Sequence, residues 1–453
     1  MDIWDEEGKE MHREIERPHR KFIQIPGPNP ILRRGKKGSW DEKWIECCDV
    51  FKDYETYYLY YHGVPLDKKT WLRQSYRIGV ATSSHPLGPW RKYEKNPILD
   101  LGEEGSWDDY HVACASIIKE GTDKYYMWYS GMGSKKRDKW SIGLATASSP
   151  LGPWKKYKDN PVLEDFGYVG GVVKVKGKYY MYTEHPIGST GPDYGPIALA
   201  KAERPEGPWI KHKGNPVLSS GDWGSWDDGG FSEGEVTYRE GIFHIFYGGA
   251  KLHPTRIQTR ESIGYAYSFD GYKFTKYRNN PVALRERNPD ASAFAEVHSF
   301  FEPPFIFLYH TLRYISRPEI EDIGVQVLAT STPFRLAMPI LNLNSLKAGT
   351  TTSLENCPPI SLEHISELAI TVECTYHVKA KKGLRIHLRA SYDGIHYDTE
   401  NLYTFDNDFK PGQTIGKTVE LSPKVMFIKI FLENLDKAKD ITNVKVTATL
   451  GGK

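Results

Sequence analysis

One block recurs along most of this 453-residue chain and limits its folds more than any other feature. Its marker is Asn-Pro followed by apolar residues. The copies are Asn29-Pro30-Ile31-Leu32, Asn96-Pro97-Ile98-Leu99, Asn160-Pro161-Val162-Leu163, Asn215-Pro216-Val217-Leu218 and Asn280-Pro281-Val282. They lie 67, 64, 55 and 65 residues apart, a period within reach of propeller blades.

Each unit carries strand-like runs ahead of its marker. The most aromatic are YYLYYHG (57–63), KYYMWYSG (124–131), KYYMYTEH (178–185), IFHIFYGG (242–249) and FIFLYHT (305–311). Alternating β-branched and aromatic residues bounded by Gly and Pro mark strands, and the connections are too short for the crossover helices of a parallel sheet. Five units predict an all-β chain whose residues 1–341 form a five-bladed β-propeller. Residues 22–32 read as a lone final strand, which would complete the last blade and remove its open edge; the alternative finisher is FRLAMPIL (334–341). Beyond a turn-rich linker, short alternating runs over 342–453 predict a small β-sandwich, as an accessory sugar-binding module or a structural cap.

Composition narrows the function. Sixty basic and 58 acidic residues give a formal charge of +2, so no global field holds nucleic acid or an anionic membrane. Aromatic residues reach 13%, with 12 Trp and 29 Tyr, which suits sheets and sugar-stacking surfaces. The five cysteines show no CxxC spacing and are expected reduced. A charged N-terminal stretch without an apolar signal core, and no long apolar run, predict a soluble cytoplasmic protein.

Aligning the units on Trp40-Asp41, Trp107-Asp108 and Trp226-Asp227 sets the inner strands in register. They read WIECCDVF (44–51), HVACASII (111–118), YVGGVV (168–173), FSEGEVTY (231–238) and FAEVHSFF (294–301). Glu233 then replaces Cys47 and Cys114, and Glu235 aligns with Asp49 and Ser116. Carboxylates near an axis are costly unless solvated, paired or metal-bound, so Glu233, Glu46 and Asp49 are the leading catalytic candidates. Strand alternation sends Glu46 and Asp49 to opposite faces, leaving one for the cleft. Asp109 with His111 forms a candidate pair on the loop entering the axis. Glu235, Glu296, Glu184, His185 and Arg313 are candidate substrate contacts, and Arg73, Lys251, His253, His62, Ser130 and His310 belong to the same rim. The repeated Asp41, Asp108 and Asp227 read as turn-capping residues.

The blade pattern in GSWDDYHVACASIIKEGTDKYYMWYSGM and SEGEVTYREGIFHIFYGG resembles the five-bladed propeller glycosidases of glycoside hydrolase family 43 and its relatives, among them fructan-active, neoagarobiose-hydrolase and mannoside-phosphorylase families. The resemblance implies a general acid at Glu233, where Glu233-Gly234 matches a Glu-Gly-Pro motif with Glu235 in place of proline. It implies a general base in blade one, where Cys47 stands at the usual aspartate and Glu46 or Asp49 would substitute, while Asp109 would tune the acid. His298 lies near a family histidine that binds an axial calcium or its waters. The expected activity is hydrolysis of a glycoside or short oligosaccharide by carboxylate chemistry. No cofactor is required beyond that structural calcium, and the sandwich could pair protomers. The alternatives are a phosphorylase or transglycosidase, with rim arginines holding phosphate, and a noncatalytic carbohydrate-binding propeller.

Overall fold

A computed structural model describes residues 22–66, 75–135, 139–184, 195–251 and 260–453. Its regular structure is β-strand apart from two single-turn 3-10 segments. No helix among these residues is long and apolar enough to cross a membrane.

The repeat folds as five antiparallel four-stranded units. Unit one runs Trp44–Asp53, Thr56–Val64, Arg77–Ser83 and Arg91–Lys92. Unit two is His111–Glu120, Lys124–Met132, Ser141–Ala147 and Lys155–Lys156. Unit three is Tyr168–Val175, Lys178–Glu184, Ile197–Ala202 and Ile210–Lys211. Unit four is Glu235–Arg239, Ile242–Lys251, Arg260–Ser268 and Thr275–Lys276. Unit five is Ala291–Glu302, Phe305–Tyr314 and Glu321–Ala329, and its outermost strand is Ile23–Pro26 from the N-terminus. The lone strand thus covers the edge of Glu321–Ala329, which would otherwise present unpaired amides.

The five inner strands touch one another in sequence, and the last, Ala291–Glu302, touches the first, Trp44–Asp53. That closed cycle is a propeller layout, in which every inner strand lines one axis. In four of the five units an aromatic residue on the second strand ties the unit to the turn of the next. Tyr60 donates to the Pro150 carbonyl, Trp128 to Pro205, Tyr182 to Gly271, and Tyr309 of unit five to Pro86 of unit one.

The marker asparagines clip the third strand of their own unit. Asn96 accepts from the Val80 N–H and donates to the Val80 carbonyl, and Asn160, Asn215 and Asn280 do the same at Leu144, Leu199 and Tyr265. Asn29 clips Val325 of unit five across 296 residues, so the N-terminal segment plays the role its homologous copies play elsewhere. Asp41, Asp108 and Asp227 are buried and structural, as their repetition implied. Each takes a serine hydroxyl, a tyrosine hydroxyl from the second strand and a lysine from the fourth: Lys92, Lys156 and Lys276.

The C-terminal part is a sandwich of two four-stranded sheets. One contains Phe334–Leu346, Ile441–Gly452, Glu367–Tyr376 and Thr414–Leu421; the other contains Ile360–Ser361, Phe427–Asn434, Leu384–Ser391 and Tyr403–Asp406. Strict alternation buries Leu368, Ile370, Val372, Cys374 and Tyr376 against Leu384, Ile386 and Leu388. The division expected between residues 341 and 342 falls inside Phe334–Leu346, because that strand pairs with Ile441–Gly452 along its length. FRLAMPIL therefore opens the sandwich and does not finish unit five. Leu87 and Trp90 of unit one share a continuous apolar core with Phe334, Met338 and Ile360.

Candidate active site

Four inner strands carry a bulge at the same height. The register slips between Cys47 and Asp49, Ala113 and Ser116, Val169 and Gly171, and Ala295 and His298. In unit four the ladder begins only at Glu235. A bulge adds a residue and re-aims the side chains around it. Glu46 therefore lies opposite His62 and Asp49 opposite Tyr60, two positions on the same face of the neighbouring strand. The expectation from simple alternation, that they point to opposite faces, is corrected by this inserted residue.

The bulged rungs enclose a small cavity lined by Cys47, Cys48, Cys114, Val169, Gly170, Glu233, Glu296 and His298. Gly170 is required there, since a Cβ would stand 2.4 Å from the Gly234 carbonyl oxygen. Glu233 accepts from the Cys114 thiol at 3.2 Å, and its backbone carbonyl receives the Val297 N–H. Burial pushes the Glu233 carboxyl above the usual range, opposed by His62 and reinforced by Glu46.

Glu46 is its opposite. It pairs with the His62 Nε2 and accepts the Tyr76 hydroxyl at 3.1 Å. Burial alone would raise it, but His62 and Arg313 outweigh burial and hold it at about 2. Against burial, the neighbouring Cys48 and Glu46 push the His62 imidazole well above its ordinary value, and its Nε2 proton points to Glu46.

Arg313 joins three carboxyls: Glu261 at 3.1 Å, Glu296 at 3.2 Å and Glu321 at 3.0 Å. Burial and the adjacent Glu46 raise Glu321 to about 7 despite Arg313, so Glu321 keeps a proton toward Glu46. Burial raises Glu296 as well, against Arg313.

Lower on the axis, Asp49, Glu235 and His298 gather, with donor atoms within 4.8 Å of one another. His298 Nδ1 stands 2.6 Å from Glu235 and 3.4 Å from Asp49. Burial raises Glu235 to about 7, and His298 rises to about 10 against burial through Glu235 and Asp49. Calcium takes six to eight oxygen ligands, whereas this set offers an imidazole nitrogen and two carboxyls already engaged. The expected axial calcium does not match that donor set, and no chemistry is assigned through it.

The remaining candidates divide. His111 lies on the rim in a run of ring contacts, Tyr76–His111 at 5.0 Å, His111–Trp140 at 5.4 Å and Trp140–Tyr168 at 4.5 Å. Glu184, opposite Tyr168 in the ladder, accepts the Gly195 N–H. Asp109 stands apart from the carboxyl cluster. It accepts from the Gly105 N–H and from the Ser134 N–H and hydroxyl, as Glu42 and Asp228 cap the corresponding turns, so the pairing of Asp109 with His111 as a site does not form. Lys251 likewise binds loop carbonyls, and His310 is buried with its pKa lowered to about 4 by desolvation. His185, Arg73 and His253 lie outside the described residues.

Sequence reasoning missed Tyr76, Trp140, Glu261 and Glu321. A signal existed: each stands two residues before the Ile-Gly of its unit's third strand, and Gly195 stands at the equivalent place before Ile197-Ala198. The repeat fixes the strand and leaves that one position free to differ.

No known family model matches the sequence. A 109-residue stretch is 26% identical to an uncharacterised protein of Mycobacterium tuberculosis, covering 24% of this chain. The match spans only 34% of that curated relative. Solved structures share the fold at low identity. A glycoside hydrolase is similar with a TM-score of 0.52 at 15% identity, over 72% of this protein and 96% of the other. A glycosyl hydrolase from Bacteroides ovatus gives 0.51 at 16%, over 68% and 93%. The chain thus shares its all-β propeller fold with these two structures, and a sandwich follows it.

Proposed function

We propose that the chain cleaves a glycosidic bond in a glycoside or short oligosaccharide, with Glu233 as general acid and Glu46 as its ionised partner. The observation that carries this reading is the opposite displacement of two neighbouring carboxyls: Glu233 is pushed up and Glu46 is held at about 2. Environments that drive two carboxyls apart separate the proton donor from the charged group that attacks or assists. Asp49 is committed to the Ile117 N–H at 2.6 Å and to His298, so the partner's role falls to Glu46. The aromatic run from Tyr76 to Tyr168 supplies flat apolar faces beside these groups for a sugar ring.

Wild type and Glu233→Gln assayed on a panel of aryl glycosides test the assignment. The variant is expected to lose roughly 100- to 10,000-fold in kcat, the usual span for a general acid. Undiminished hydrolysis would remove Glu233 from that role. Arg313 already serves three carboxyls, which favours water over phosphate as acceptor; turnover unaffected by added inorganic phosphate is the expected result.

A further inference from the structure

Glu296 shares the left-handed bulge conformation of Cys114 in unit two, and differs from it in carrying a buried carboxyl there. It sits in the bulge of Ala291–Glu302 with φ of 43°, the left-handed region that disfavours residues with a Cβ. Its N–H donates to Ser232 Oγ, and one carboxyl oxygen, Oε1, takes Arg313. The other oxygen, Oε2, is buried and has no hydrogen-bond partner among the described residues, although the residue is only 7% exposed and lines the cavity beside Glu233. Strain and an unmet buried acceptor both count against stability. Arg313 does not depend on Glu296 alone, because the Glu261 carboxyl also faces it at 3.1 Å. Such costs collect where a ligand completes the arrangement.

We infer that Glu296 is a substrate-contacting residue whose Oε2 pairs with a hydroxyl of a sugar ring seated over this cavity. Arg313 fixes its other oxygen, and the carboxyl lines the same cavity as Glu233. The ligand class is therefore a glycoside whose ring carries a free hydroxyl close to the bond being cleaved, an inference that rests on the glycosidase reading for the identity of that bond.

The test combines binding and turnover. Saturation-transfer NMR and calorimetric titration with free pentoses, hexoses and their aryl glycosides are run on wild type, Glu296→Gln, Glu296→Gly and Glu233→Gln. Glu296→Gln and Glu296→Gly are expected to bind the recognised sugar about 10- to 100-fold more weakly, the effect of losing one well-placed polar partner. Glu233→Gln keeps binding while losing turnover. Glu296→Gly should unfold at a temperature no lower than Glu296→Gln, because glycine adopts this φ freely. On aryl glycosides lacking one ring hydroxyl each, wild type should lose rate with one analogue, and Glu296→Gln should no longer distinguish it from its parent. Undiminished sugar binding in both Glu296 variants, or no sugar bound by wild type, overturns the inference. Glu296-dependent binding without turnover upholds it and instead removes the catalytic role given to Glu233.

Discussion

Glu235 and Glu321 retain protons that free carboxyls release, and this sets how stability follows pH. Both have folded-state pKa values raised to about 7 by burial, so the native state binds more protons than the unfolded chain between about pH 4.5 and 7. Their stabilising contribution is complete below the unfolded value and is lost as pH rises through 7. His298, raised to about 10, adds a further loss above pH 6.5, whereas the contribution of Glu46, lowered to about 2, is complete above about pH 4.5 and is lost as pH falls toward 2. Thermal unfolding midpoints should therefore fall from pH 5 to pH 8. Glu321→Gln, which keeps a donor toward Glu46, should flatten that fall, with a change on the order of 1–3 kcal/mol at pH 8. An unchanged pH profile in the variant would place the titrating group elsewhere. Glu233, Glu235 and Glu296 were legible as chemistry-bearing residues because they break the repeat. Their protonation was not, since burial and neighbours from other units decide it.

At the scale of elements, the N-terminal strand is a working part of unit five. Asn29 makes the same two backbone bonds as Asn96 does in unit one, although its partner is 296 residues away. Asn29→Ala and Asn96→Ala should then destabilise equally, by about 1–3 kcal/mol each in urea unfolding. A much smaller cost at Asn29 would mean that the closing strand is loosely held. Removal of residues 1–26 should expose the edge of Glu321–Ala329 and produce concentration-dependent association, read by light scattering. Strand order was readable because apolar alternation and turn residues are local. The bulges were not, because an inserted residue at Cys48 or Glu296 looks like any other until its partner strand is in place.

For the whole molecule, propeller and sandwich share one apolar core. Leu87 and Trp90 pack into the same cluster as Phe334, Met338 and Ile360, and Arg287 pairs with Glu363 at 3.1 Å. Calorimetry should give a single unfolding transition, and two resolved transitions would show that the interface contributes little. By itself, the sequence determined the period, the strands and the turn-capping aspartates, because each follows from local patterning repeated along the chain, whereas the choice of residues 22–32 over 334–341 as the closing strand fell to the tertiary structure. Only the tertiary structure decided which carboxyls meet. Glu46, Glu233, Glu296 and Glu321 come from three units far apart in the chain, and ring closure brings them around Arg313 and His62. Whether each then carries a proton depends on its burial and on the charges facing it.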